Sequence, residues 1–202
     1  MKLPEEYFLY VGNAYPHKNL ERLLQAFLKL NPSTTLRVDG ERSRTVKTQN
    51  LKLILVGNED FFHRRLVDYV KRLGLTDDVI FWGQAKRGEL NSLYQAAIAL
   101  VFPSLMEGFG LPAVEAMANH CLVLVSDIPV FHEILGEVAI YFNPYDTSDM
   151  AGKIKDVLRN PQKYEIFKKR GLTQVRKYSW SKLASQTLKV YEDFLASIGQ
   201  PF

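Results

Sequence analysis

Six short apolar runs, separated by stretches of helical spacing, constrain this chain of 202 residues more than any other feature. Tyr7 to Val11 is aromatic and β-branched and stops at Gly12, Leu51 to Val56 stops at Gly57, and Val79 to Trp82 stops at Gly83. Ile98 to Phe102, Leu122 to Val125 and Val138 to Phe142 complete the set. The runs are nearly continuous in their apolar character, the pattern of strands covered on both faces. Between them, Leu20, Leu23, Leu24, Phe27 and Leu28 fall on one helical face, with Asn19 placed to cap it. Further helices are expected from about Phe62 to Leu73, stopped by Gly74, from Glu89 to Ala97, from Pro112 to Ala118 and over Pro129 to Leu135. Strand and helix in alternation predict an α/β fold, a doubly wound Rossmann-like parallel sheet of about six strands with helices on both faces. The tail is expected to be helical throughout, as Ser148 to Leu158, Pro161 to Lys177 and Ser181 to Ile198.

One stretch breaks the rhythm. Residues 31–50 are rich in Ser, Thr and charge and show no helical stripe, which suits a polar insertion with a small hairpin at Asp39-Gly40. The rest reads as a single domain over residues 1–202, closed by a C-terminal helix and tail at 178–202. No apolar stretch approaches the ~18 residues of a spanning helix, and the N-terminus lacks a signal-peptide core. The single Cys121 lies in an apolar run and reads as a small buried hydrophobe. These features favour a cytoplasmic protein. A net charge of +4 is mild, and its basic clusters, such as Lys168-Lys169-Arg170, suit a solvated helix face. No zinc spacing and no nucleic-acid motif is present, so neither a metal nor nucleic acid is expected.

The loop from Pro103 to Leu111 joins the carboxyl end of one expected strand to the amino end of a helix, the edge where open α/β sheets bind ligands. Gly108 and Gly110 would let backbone approach a ligand, and the helix start offers free N–H groups and partial positive charge. Dinucleotide chemistry would require G-x-G-x-x-G after the first strand, where Gly12-Asn13-Ala14-Tyr15-Pro16-His17 stands instead. A P-loop and a G-x-S-x-G elbow are also missing.

Glu107 and Glu115, set in Glu-Gly-Phe-Gly-Leu-Pro-x-x-Glu, resemble the E-x7-E motif of family 4 (group 1) retaining glycosyltransferases. Tyr10-Val11-Gly12 with Pro16-His17-Lys18-Asn19, Leu55-Val56-Gly57, Val79 to Gly83, Phe102-Pro103-Ser104 and Ser126-Asp127-Ile128-Pro129 resemble that family's other strand ends, in the same order. The resemblance runs from about Tyr7 to Leu195 without the insertion, and implies the C-terminal, donor-binding half of a two-domain GT-B fold.

It implies a nucleotide-sugar donor, GDP- or UDP-linked, and no other cofactor. Lys18 would hold the donor diphosphate and stabilise the leaving group, and Glu107 would contact the transferred sugar. Gly12 and Asn13 would lie against the phosphates, and the amides of Gly108, Phe109, Gly110 and Leu111 would bind sugar and phosphate oxygens. Glu115 would accept from the ribose hydroxyls, with Gly83 and Gln84 near the base. The ordinary alternatives are a carboxylate complementing a helix dipole for Glu115 and a surface lysine for Lys18. A glycosidase pairing of the two glutamates is disfavoured, because one of them stands a turn inside a helix.

Two departures qualify the resemblance. Many members carry arginine after the first strand's glycine, where this chain has Asn13; Arg22, Arg64, Arg42 and Arg44 are the available replacements. The resemblance also implies an N-terminal acceptor domain absent from this chain, supplied by a missing segment or a partner subunit, toward which the last helix would pack. Mannosyltransferase-type members match the first loop best, pointing to GDP-mannose and an acceptor that is lipid-linked at the inner face of a membrane. A non-catalytic nucleotide-sugar-binding or scaffolding module of the same fold is the competing reading.

Overall fold

A computed structural model describes residues 3–30 and 50–199. The insertion, with the hairpin expected at Asp39-Gly40, lies outside these residues apart from Asn50. Six parallel strands form one sheet: β1 (Tyr7–Val11), β2 (Lys52–Val56), β3 (Val79–Gly83), β4 (Ala99–Phe102), β5 (Leu122–Ser126) and β6 (Ile140–Phe142). Their spatial order is β3-β2-β1-β4-β5-β6. The chain winds outward from β1 in one direction, returns to the middle, and winds outward from β4 in the other. The reversal between β1 and β4 leaves a crevice at their carboxyl ends, where the two loops part to opposite faces.

The helices are α1 (Leu20–Leu28), α2 (Phe61–Arg72), α3 (Arg87–Ala96), α4 (Leu111–Ala118), α5 (Pro129–Leu135), α6 (Thr147–Arg159), α7 (Pro161–Val175) and α8 (Trp180–Ser197). The first seven each bury an apolar face: α1 buries Leu20, Leu23, Leu24, Ala26 and Phe27 and packs on α2 and α6. On the other side α4 buries Ala113, Ala116 and Met117 and packs on α7, where Gly171 lets the Met117 side chain come close. At about 1.5–3 kcal/mol for each large apolar side chain fully buried, these stripes supply the main force that seats the helices. Helix α2 begins at Asp60, whose carboxylate accepts from the His63 amide at 2.9 Å, and ends at Gly74 with φ +69°. The last strand is shorter than the apolar run suggests, because Gly136–Val138 coil into a 3₁₀ turn. Cys121 is buried, and burial pushes its thiol up to about 12, so it is an inert core residue.

Helix α8 differs from the others, since none of its residues is buried. Trp180, Leu183, Leu188, Tyr191 and Phe194 stand between 53% and 75% exposed. Among the described residues no helix is long and apolar enough to cross a membrane.

At the α6–α7 junction Asp156 accepts from Lys163 Nζ at 2.8 Å, from the Tyr164 hydroxyl and from Asn160 Nδ2 at 2.6 Å. The Lys163 and Tyr164 hydrogen bonds hold its carboxyl down at about 2, against an ordinary 3.8. A depressed folded value means that this contact stabilises fully above pH 3.8 and is lost as pH falls toward about 2. Melting of Asp156→Asn is expected to vary less with pH across that window than melting of the parent chain. An unchanged acid limb would contradict it.

Candidate functional site

The loops leaving β1 and β4 build the site. After β1 the chain turns at Gly12, with φ +149°, and a Cβ there would stand 2.7 Å from the Tyr10 hydroxyl. That hydroxyl donates to the Asn13 carbonyl at 2.7 Å, so the buried Tyr10 ring props the loop from beneath. Burial first, and then the Glu107 carboxylate, pushes the Tyr10 hydroxyl far above its ordinary range, so it stays a donor. Gly12 also donates its amide to Val56 O at 2.9 Å, which ties the turn to β2.

The loop continues into a single 3₁₀ turn, Pro16–Lys18, whose end is held against the β4 loop. The Leu105 amide donates to His17 O at 2.8 Å. Asn19 does not cap α1 through its side chain, as its position at the helix start suggests. It takes φ +60°, a conformation asparagine tolerates, and its Nδ2 donates to Pro103 O at 3.0 Å and Pro144 O at 2.8 Å. Its Oδ1 accepts from Arg22 Nη1 at 2.9 Å. A buried amide bridging three segments is a stronger requirement than one helix cap, and it fixes Lys18 at the crevice. There Lys18 Nζ meets Glu107 Oε1 at 2.6 Å, with the two side chains 14% and 10% exposed. The ammonium also lies over the Phe102 ring, 5.6 Å from its centre. Residues 89 positions apart are thus joined in a nearly buried ion pair at the sheet's switch point.

Beyond Glu107 the chain enters α4. Gly110 precedes the helix at φ +83°, and a Cβ there would come within 2.6 Å of the Phe131 ring. Its lack of a side chain is therefore dictated by the fold, whereas a Cβ on Gly108 would meet open space. Phe109 turns its ring onto Tyr178, 5.3 Å away and nearly perpendicular, which leaves its amide rather than its side chain for the crevice. Within the described residues the amides of Gly108, Phe109 and Gly110 have no hydrogen-bond acceptor. Leu111 opens α4, one residue before the expected start, with its side chain exposed. One turn in, Glu115 Oε2 accepts from the Tyr94 hydroxyl at 3.2 Å. Burial, with Glu115 adding to it, pushes that hydroxyl far above its usual range, so Tyr94 donates and orients the carboxylate.

Of the remaining predicted residues, Gly83 and Gln84 lie at the end of β3 and Asn13 follows β1. Gly83 turns at φ +77°, and Gln84 Nε2 donates to Asn58 Oδ1 at 2.7 Å. Asn13 stands where an arginine was expected, and its Oδ1 is buried without a partner among the described residues, as is Ser104 Oγ in the β4 loop. Of the candidate replacements, Arg22 is held by Asn19 and stacked near Tyr145, and Arg64 is exposed on α2. Arg42 and Arg44 lie outside the described residues. Among those residues no group of three His, Cys, Asp or Glu could hold a metal ion. Sequence reasoning missed Tyr10, Tyr94 and the bridging role of Asn19. The first two read as ordinary core aromatics, and only their hydroxyls give them away.

Comparison with known proteins identifies the family. Residues 2–174 match the family of glycosyl transferases group 1. The O-antigen chain mannosyltransferase RfbU of Salmonella typhimurium is 38% identical over 166 residues, covering 82% of this chain and 42% of that protein. The O-antigen chain mannosyltransferase B of Escherichia coli is 31% identical over 186 residues, covering 92% of this chain and 45% of that protein. Among solved structures, sucrose-phosphate synthase of Thermosynechococcus elongatus superposes with a TM-score of 0.80 at 28% identity, over 96% of this chain and 46% of that one. The chain spans somewhat less than half the length of these relatives. With its doubly wound sheet, its E-x7-E segment at the switch point and this match over most of its length, the chain belongs to the group 1 glycosyltransferases.

Proposed function

We propose that this chain binds the nucleotide-sugar donor of a retaining hexosyltransferase, and that the transferred group is mannosyl from GDP-mannose. The observation that carries the reading is the Lys18–Glu107 pair at 2.6 Å, set between the two loops of the crevice. It is supported by the similarity to proteins named mannosyltransferases. In the free chain Lys18 is neutralised by Glu107. Donor binding replaces that partner by the diphosphate, and Glu107 turns to the hydroxyls of the sugar. The ammonium is therefore paired both before and after the exchange. The amides of Gly108, Phe109 and Gly110, at the start of α4, meet sugar and phosphate oxygens. Glu115, oriented by Tyr94, accepts from the ribose hydroxyls.

In the reaction, Lys18 stabilises the diphosphate as it leaves, and the leaving phosphate oxygen takes the acceptor's proton. No nucleophile of the protein is invoked. The acceptor, lipid-linked at a membrane face, is bound by a second half of the enzyme, and the exposed apolar residues of α8 suit a contact with that half. Asn13 in place of arginine favours one other reading, a module that binds the nucleotide sugar without transferring it.

Glu107→Gln separates the roles. It is expected to keep or improve GDP affinity, because Lys18 is released, while the preference of the parent chain for GDP-mannose over GDP falls toward unity. Calorimetric titration with both ligands reads this ratio. An unchanged preference would remove Glu107 from the sugar.

A further inference from the structure

We infer that the chain carries a second ligand site, a cavity between α1 and α2 that binds a neutral saccharide. The cavity measures about 510 Å³, inside the ~300–1,000 Å³ of small-molecule sites. Among the described residues its lining comes from the loop after β1, from α1 and from α2, and excludes Lys18, the β4 loop and α4. It is therefore separate from the Lys18–Glu107 crevice.

Glu21 and Gln25 stand one turn apart on α1, and Phe62 and Arg65 stand one turn apart on α2, all four lining the cavity. Tyr15 joins them from the loop, its ring edge to face with Phe62 at 5.2 Å. Arg22, also in the lining, is held in place: Nη1 donates to Asn19 Oδ1 at 2.9 Å, and the guanidinium lies 5.5 Å from the Tyr145 ring centre. Its other N–H groups remain for a ligand. Gln25 Nε2 donates to the Tyr69 hydroxyl at 2.7 Å, which fixes the amide and leaves Oε1 to accept. Glu21 and Arg65 are exposed and have no ion pair or side-chain hydrogen bond among the described residues.

The cavity thus offers donors on two arginines, acceptors on Glu21 and Gln25, and apolar area on two rings. A sugar hydroxyl both donates and accepts, and the C–H face of a pyranose packs against an aromatic ring. A phosphate can only accept, so it would use the arginines and be repelled by Glu21. An apolar ligand would leave the arginines and the carboxylate without partners. A neutral saccharide uses all three parts of the lining.

The test titrates the full chain with methyl α-mannoside, maltose and inorganic phosphate, following backbone amide shifts. At least one of the two sugars is expected to bind, shifting Tyr15, Glu21, Gln25 and Phe62 and leaving Gly108, Phe109 and Gly110 in place. Tyr15→Ala and Arg65→Ala, both at exposed positions, should each weaken that sugar about tenfold. Glu21→Ala should weaken it as well. Lys18→Met should leave the sugar titration unchanged while it weakens GDP, so this site and the donor site fail independently. Sugar shifts centred on Gly108 to Gly110, or lost in Lys18→Met, would place the sugar in the crevice and overturn the second site. Phosphate binding that tightens in Glu21→Ala, with no loss of sugar binding, would make the cavity an anion site. Absence of any response to both sugars would also overturn the assignment.

Discussion

Gly57→Ala is expected to destabilise the chain by about 3 kcal/mol, the upper end of what an added methyl costs in a packed interior. The added Cβ would stand 2.0 Å from Gly12 O and 3.0 Å from Gly12 C. Neither atom is the end of a movable side chain, so the turn after β1 must separate from the turn after β2. Those turns are joined by hydrogen bonds from Gly12 N to Val56 O at 2.9 Å and from Gly57 N to Gly83 O at 3.0 Å. The three strand ends therefore move together, and the loop carrying Lys18 moves with them. Urea unfolding reads the stability loss as a lower midpoint at unchanged slope. A midpoint within error of the parent would show that the turns are not in this contact.

Lys18→Met is expected to weaken nucleoside-diphosphate binding on the order of 30- to 100-fold, the value of a hydrogen-bonded cation on a phosphate. The same change leaves the Glu107 carboxylate without its partner at 10% exposure. A loss of about 2 kcal/mol in stability should follow, below the range for a fully buried pair because solvent still reaches the site. Adding Glu107→Gln to Lys18→Met removes the stranded charge, so the double variant should recover most of that stability while binding stays weak. Unfolding midpoints and GDP titrations of the single and double variants separate the two effects. Equal stability of parent and Lys18→Met would mean that the pair contributes nothing to the folded state.

Apolar continuity made β1 to β5 legible, because a parallel sheet buried on both faces leaves its strands little polar surface. The same rule overextended β6, where Val138 is apolar yet belongs to a 3₁₀ turn. At the site, Lys18 and Glu107 were legible as members of motifs, but their contact was not, since it depends on β1 and β4 being neighbours. Asn19 shows the limit of local reasoning. Its type and position fit a helix cap, and long-range carbonyls at Pro103 and Pro144 claimed the side chain instead. Gly108 and Gly110 look equivalent in sequence, whereas the ring of Phe131 makes only the second one obligatory for packing.

The most direct test of the donor site is titration of the chain with GDP-mannose, UDP-glucose and NAD, following heat and melting temperature, with Lys18→Met and Glu115→Ala alongside. The site described here predicts binding of GDP-mannose, a rise in melting temperature that both substitutions abolish, and no response to NAD. Binding that survives both substitutions, or binding of NAD alone, would contradict it.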